Sequence, residues 1–107
     1  MTSPASEPTD RFGLPSYVLE SLKKIFQRHT RIEHATVYGS RAKGNYRYNS
    51  DIDIMLTAPD LPWQEFIQME MEIDDLLLPW KVDLALKHHV ENPDLLDHVG
   101  RVGVPIY

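Results

Sequence analysis

Three aspartates are the residues of this chain whose types and spacing could do chemistry together. Asp51 and Asp53 lie one residue apart in the stretch NSDIDIML, and Asp83 lies in KVDLAL. Residues two apart on a strand share a face with roughly 6–7 Å between their Cα atoms, so the first two carboxylates can converge on one cation. Oxygen ligands without thiolate or imidazole suit Mg²⁺ or Mn²⁺. The pattern predicts a metal site that supports displacement at phosphorus, with Asp83 included if its strand is a neighbour.

A glycine turn just before these aspartates predicts a phosphate-binding site. Gly39 and Ser40 end one predicted strand and open a short helical turn. A glycine there lets a phosphate approach the backbone, while the free N–H groups of the helix start and the Ser40 hydroxyl can donate hydrogen bonds. Arg41 and Lys43 follow and are predicted to neutralise a triphosphate tail, although solvated helix charges explain them equally well. The turn and the aspartates together predict a nucleoside triphosphate site.

The spacing of these residues argues against a merely solvated acidic strand face. A Gly-Ser pair, ten residues and then Asp-x-Asp should occur by chance in on the order of one chain in a thousand of this length. Ser50 is interpreted as fixing the turn into the strand. His88 and His89 are adjacent on an extended segment and point apart, so no histidine metal pair is predicted. His34 and His98 are assigned no role.

Helices and strands alternate along the chain and must position the candidate site. Apolar residues at helical spacing predict helices that begin at Pro15, at Trp63 (ending at about Leu78) and at Pro93, which follows Asn92 as the N-cap. Alternating and β-branched residues predict strands over 32–38, 51–57 and 81–86. The predicted buried stripe of the first helix is Val18, Leu19, Leu22, Ile25 and Phe26, and that of the second is Phe66, Ile67, Ile73 and Leu77. The second helix and the residues after it contain more apolar side chains than one helix face can bury. Some of this surplus indicates a protein interface, and core packing explains the rest; the residues are Trp63, Met69, Met71, Leu76, Leu78 and Trp80.

Length and composition favour one ordinary globular domain. The 107 residues are 42% hydrophobic and 25% charged, as in typical globular proteins. We expect a mobile tail over residues 1–12, which is rich in Ser, Thr, Pro and acid, and a single domain over 13–107. The absence of cysteine excludes disulfides and thiol chemistry and fits a reducing cytoplasm. No apolar run approaches the length of a membrane span, and the net charge of −5 argues against stable nucleic-acid binding.

The candidate site residues resemble the minimal nucleotidyltransferases of the DNA polymerase β superfamily. That family's signature is a GS turn, a spaced DxD and a later strand aspartate, and Gly39, Ser40, Asp51, Asp53 and Asp83 fill it. The stretches LLLPWKVDL and NPDLLDHVGRVGVPIY also resemble the small prokaryotic members that are paired with a HEPN-domain protein. The resemblance covers residues 14–107. It implies an α+β fold with a small mixed β-sheet flanked by helices, ATP as substrate, and Mg²⁺ or Mn²⁺ as cofactor.

The same resemblance implies an antitoxin that adenylylates its HEPN ribonuclease partner. In that mechanism Asp51 and Asp53 hold the metal, and Asp83 ligates the metal nearer the acceptor and helps to deprotonate the attacking hydroxyl. Larger relatives carry a second domain, for which this length leaves no room, so another chain is expected to complete the acceptor pocket. Two alternatives stay open: an antitoxin that acts by binding alone, and an adenylyltransferase for a small hydroxylated molecule such as an aminoglycoside. Template-directed polymerisation is least favoured because the chain is acidic.

Overall fold

Four strands form one mixed sheet within residues 8–107, the part of the chain that the computed structural model describes. The strands are β1 (His34–Tyr38), β2 (Ile52–Thr57), β3 (Val82–Leu86) and β4 (Val104–Pro105). Their order across the sheet is β3-β2-β1-β4. Strand β1 is antiparallel to both β2 and β4, whereas β2 and β3 are parallel. The predicted α+β fold with a small mixed sheet is confirmed.

Helices connect these strands. They are α1 (Ser16–Arg28), α2 (Gly39–Lys43), α3 (Trp63–Asp74) and α4 (Pro93–Val102), with 3₁₀ helices at Pro8–Gly13 and Lys87–His89. Helix α4 begins as predicted, because the Asn92 side chain accepts a hydrogen bond from the Asp94 N–H at 2.9 Å and Pro93 occupies the first helical position. An asparagine cap followed by proline suits a helix start, since it satisfies one free N–H and removes another.

The hydrophobic core lies on one face of the sheet, where α1 and α3 cover it. All five predicted stripe residues of α1 are buried, and they belong to one cluster with Val37, Ile52, Ile54 and Leu56. Side chains alternate along a strand, so Asp53 and Met55 point to the opposite face. Helix α4 lies beside that opposite face, where Val99 and Gly100 line a cavity with Met55. The sheet therefore separates the apolar core from the face that carries the aspartates.

Helix α3 differs from its prediction in both length and orientation. It ends at Asp74 rather than near Leu78, after which the Leu76 and Leu77 N–H groups bond to Ile73 and Asp74 in tight turns. The backbone at Leu77 has a positive φ that a right-handed helix does not allow, so these turns end the helix before Pro79 is reached. Its buried residues are Phe66, Met69 and Ile73. The predicted burial of Ile67 and Leu77 is wrong: Ile67 is exposed, and Leu77 is 86% exposed with φ of 54°.

The N-terminal segment contacts the domain within the range predicted to be a tail. Residues 1–7 lie outside the described residues. In the 3₁₀ helix Pro8–Gly13, Phe12 packs partly buried against the core, and its carbonyl accepts a hydrogen bond from Arg41 at 2.8 Å. Phe12 therefore supplies apolar surface that packs against the domain. No helix in this described part is long and apolar enough to cross a membrane.

Candidate active site

The parallel pairing of β2 and β3 brings the predicted aspartates onto one face of the sheet. Asp53 lies directly opposite Asp83 in the register, and Asp51 precedes β2 by one residue. Residues in register on neighbouring strands point to the same face, with strands about 4.8 Å apart. Asp83 therefore joins the other two carboxylates, as it would have to if all three acted together.

These carboxylates interact through their negative charges. Partial burial raises the pKa of Asp53, and the charges of Asp83 and Asp51 raise it further, while His98 and Lys81 act in the opposite direction. The Lys81 Nζ lies 3.6 Å from Asp83 Oδ1, so one cation already faces the cluster. Like charges held on one sheet face favour binding of a further cation.

The donor set fits a hard divalent cation that is shared with a substrate. Within residues 8–107 no three Asp, Glu, His or Cys side chains are placed to hold a metal ion by themselves, and this includes Asp51, Asp53 and Asp83. Mg²⁺ is usually held by one or two carboxylates together with water and substrate phosphates, not by an all-protein cage. One or two of the carboxylates of Asp51, Asp53 and Asp83 would suffice for such a site, with water and phosphate oxygens as the other ligands.

Gly39 is held against Asp53 in a conformation that favours glycine. Its φ is 74°, and a Cβ at this position would collide with Oδ2 of Asp53. It also opens α2 directly after Tyr38, which lies opposite Asp53 in the β1–β2 register. The backbone therefore approaches the carboxylates closely enough that a side chain has no room, and Ser40 follows half-buried in the first turn.

His98 reaches the glycine turn from α4, although sequence reasoning assigned it no role. The Gly39 N–H donates a hydrogen bond to His98 Nε2 at 3.2 Å. The His98 ring also meets Tyr38 edge to face, with centroids 6.2 Å apart and planes at 78°. Burial raises the pKa of Tyr38, and the charges of Asp53 and Asp83 add to that increase. Nothing local to His98 in the sequence indicates this contact, because 59 residues separate the two partners.

Arg41, for which a phosphate contact is predicted, lies buried among backbone oxygens of its own chain. Its side chain is 2% exposed, and its guanidinium donates to the backbone oxygens of Ser50, Tyr48 and Phe12 at 2.8–3.1 Å. Five N–H donors in a rigid fork suit such a set of carbonyls. Arg41 therefore anchors the loop between α2 and β2, whereas Lys43 stays exposed at the end of α2.

The loop over residues 44–50 is closed by further contacts around that arginine. The Arg41 guanidinium lies over the rings of Tyr46 and Trp80, at 5.0 and 5.8 Å from their centroids. The Trp80 indole N–H donates to the Tyr48 carbonyl at 2.8 Å. Ser50 Oγ accepts from the Arg47 N–H at 2.8 Å, which confirms its predicted role in fixing the turn. This buried anchor holds the segment that contains Asp51 and leads into β2 with Asp53.

A mixed sheet with paired strand aspartates beside a glycine turn defines a nucleotidyltransferase-type domain. The model of the family described as polymerase beta, nucleotidyltransferase matches residues 20–107, and the chain belongs to that family.

Curated relatives from Methanocaldococcus jannaschii are provisionally named protein adenylyltransferases. One is 32% identical over 71% of this chain and 78% of its own length, and a second is 31% identical over the same shares.

Solved structures share the fold. One chain, in a crystal structure of a toxin–antitoxin with AMP-PNP, superposes with a TM-score of 0.68 at 22% identity, covering 83% of this chain and 72% of that one. Another belongs to the tri-AMPylated Shewanella oneidensis HEPN toxin in complex with its MNT antitoxin, with a TM-score of 0.64 at 18% identity over 86% of this chain and 71% of that one.

Proposed function

We propose that this chain transfers AMP from ATP to a hydroxyl group on a HEPN-domain partner protein and thereby acts as an antitoxin. The observation that carries the proposal is the pairing of Asp53 with Asp83 across parallel strands, beside a turn that only glycine fits. Supporting it are the adenylyltransferase names of its relatives and a similarly folded chain in an AMPylated toxin complex. The proposal places the reaction in the cytoplasm, where ATP and the partner would meet.

The proposal assigns each residue of the site a role. Asp51 and Asp53 would hold Mg²⁺ or Mn²⁺ together with the triphosphate. The turn at Gly39 and Ser40 would bind the phosphates through the Ser40 N–H and hydroxyl, beside the open backbone of Gly39, whose own N–H donates to His98. A bound divalent cation neutralises phosphate charge and polarises the reacting phosphorus centre. Asp83 faces the acceptor and helps to remove the proton of the attacking hydroxyl. The hydroxyl oxygen bonds to the α-phosphorus, the bond from that phosphorus to the bridging oxygen breaks, and pyrophosphate leaves.

An assay with ATP labelled on the α-phosphate tests transfer. We expect label on the partner with wild type and a loss of at least a hundredfold with Asp53→Asn, because one carboxylate oxygen charge is lost at the centre of the cluster. Neutralising Asp53 also removes the repulsion that raises its pKa, so the variant should fold at least as well as wild type.

Asp60→Asn is the matched control. Asp60 is exposed and lies beyond the far end of β2, so the same chemical change there should leave labelling intact. If Asp53→Asn labels the partner as strongly as wild type does, the mechanism is overturned. A tight complex without any label would favour an antitoxin that acts by binding alone. Label on an aminoglycoside but not on the partner would favour a small-molecule adenylyltransferase.

A further inference from the structure

The two edges of the sheet are unequal. Strand β4 closes one edge with two residues, one of which is Pro105, and such short, proline-bearing edges resist pairing with another chain. Strand β3 forms the other edge with five residues, Val82–Leu86, and contains no proline. An open edge of this length is a template for an added strand.

The backbone of β3 shows which groups are free. The Ile52 N–H donates to the Lys81 carbonyl at 2.8 Å, and Ile52 is in register with Val82. In a parallel pair the residues facing the neighbour alternate, so Lys81, Asp83 and Ala85 direct their N–H and C=O groups toward β2. Val82 and Leu84 direct theirs outward. Within residues 8–107 no strand or side chain bonds to those outward groups.

A groove runs along this open edge between β3 and α3. It consists of two cavities of about 330 and 270 Å³ that share Leu84 as a lining residue. One face of α3 forms the opposite wall with Trp63 and Phe66 at one end and Glu70 and Ile73 at the other. The groove therefore extends beyond the length of β3 and reaches Asp83 at the end nearest the candidate active site.

The end of the groove near Asp83 is acidic. Glu70, Asp74 and Asp83 line it, against one lysine, Lys81, which is itself paired with Asp83. Glu70 is half-buried and forms no ion pair within the described ranges. Burial raises the pKa of Glu70, and the charge of Asp74 adds to it. A carboxylate in this position is stabilised by a cation from outside the domain.

We infer that this groove binds an extended, positively charged segment of the acceptor protein, which pairs with β3 as a fifth strand and presents a hydroxyl side chain beside Asp83. The inference rests on the proposed function and specifies the form of its substrate. A residue that pairs opposite Asp83 projects its side chain to the same face, about 4.8 Å away. A serine, threonine or tyrosine at that register therefore reaches the carboxylate cluster. Basic flanking residues complement Glu70 and Asp74, and apolar ones fit the end at Trp63 and Phe66.

Amide hydrogen exchange followed by NMR on the full chain tests the pairing without relying on activity. On addition of the HEPN-domain partner, exchange at Val82 and Leu84 should slow at least tenfold, because their outward N–H groups gain acceptors. The Asp83 and Ala85 amides serve as internal controls, since they already pair with β2. Unchanged exchange at Val82 and Leu84 in the complex overturns the inference. Protection that appears in the isolated chain and grows with its concentration also overturns it, because a second copy then occupies the groove.

Variants connect the groove to transfer. Leu84→Pro removes an outward donor and leaves the β2 ladder in place, as proline is tolerated on edges that face solvent. Glu70→Lys reverses one groove charge, and Glu20→Lys makes the same change at an exposed site on α1. We expect Leu84→Pro and Glu70→Lys to lower partner labelling at least tenfold while ATP binding stays at the wild-type level, and Glu20→Lys to behave as wild type. If both groove variants label the partner to the same extent as wild type, the inference is overturned, whereas the proposed transfer reaction is not. Amide protection without labelling by wild type supports docking in the groove and overturns the transfer reaction.

Discussion

Gly39 is the residue whose backbone conformation bears most directly on the position of a candidate site carboxylate. Its positive φ favours glycine, and its missing Cβ leaves room for the Asp53 carboxylate. We expect Gly39→Ala to weaken ATP binding and transfer at least tenfold, because either the turn or Asp53 must move. The backbone penalty alone is about 1–2 kcal/mol. ATP titration and the labelling assay measure the effect.

Gly44→Ala is the control for that prediction. Gly44 has a φ of 90°, but a Cβ there would meet no atom within 4 Å. It therefore carries the backbone penalty without the collision, and it should lower the free energy of unfolding while leaving ATP affinity near that of wild type. If both variants lose ATP binding to the same extent, the collision with Asp53 is not the cause.

The shared sheet face of the aspartates could be predicted from the sequence, whereas the contacts of Arg41 and His98 could not. Asp51, Asp53 and Asp83 alternate with apolar residues on strands, so their shared face follows from the period of a strand and the adjacency of β2 and β3. Arg41 sits in the same motif but is buried by a loop and by Phe12, which no local pattern indicates. His98 acts through α4, whose approach to the turn is a property of tertiary packing.

Among the elements, the junction of α1 with α3 depends on one buried histidine. His29 caps α1, and its Nδ1 and Nε2 lie 2.8 and 2.9 Å from carboxylate oxygens of Glu65 and Glu72. Both contacts require a donor, so they need the doubly protonated ring. Burial by itself lowers the pKa of His29, but the hydrogen bonds and charges of Glu72 and Glu65 outweigh it and raise the pKa above its usual 6.5. Arg28 and Arg31 also reach these carboxylates, at 3.5 and 3.9 Å.

Stability should therefore fall as the solution becomes alkaline. A raised folded-state pKa means that the contribution of His29 is fully present below pH 6.5 and is lost as the pH rises through the folded value. We expect His29→Gln to lower the free energy of unfolding by about 1–2 kcal/mol at pH 6, and by less at pH 9. Urea unfolding at both pH values measures the difference, with His34→Gln at an exposed position as control. A penalty that is equal at both pH values would contradict the protonated bridge.

Element boundaries followed from the sequence where periodicity and caps agreed. The stripe of α1 and the cap of α4 are both as predicted. The predicted buried face of α3 is wrong because apolar residues occupy several faces of this helix: Trp63 and Met71 are exposed, whereas Met69 is buried. Strand β4 has only two residues, which is too short for alternation to be seen, and it exists because β1 offers a partner.

At the scale of the whole molecule, the fold gathers negative charge where the proposed function places the phosphates of ATP. The chain carries a net charge of −5, and three of its carboxylates share one sheet face next to the glycine turn. At physiological ionic strength charges are screened over about 8 Å, so the local aspartates matter more for ATP than the distant charges do. If the chain binds ATP as proposed, these local carboxylates call for a cation between them and the phosphates.

Removal of divalent cations should therefore weaken ATP binding to wild type at least tenfold, which corresponds to about 1.4 kcal/mol. Calorimetry in Mg²⁺ and in EDTA, with ionic strength matched by NaCl, measures this change. Asp51→Asn supplies the sharper comparison, because its effect should depend on the cation. With Mg²⁺ it removes a ligand and weakens ATP binding, whereas in EDTA it removes a repelling charge and leaves binding equal or stronger. An equal loss of ATP affinity in Mg²⁺ and in EDTA would mean that Asp51 supports the fold of the site. If the ATP affinity of wild type is the same in Mg²⁺ and in EDTA, the aspartates do not act through a metal.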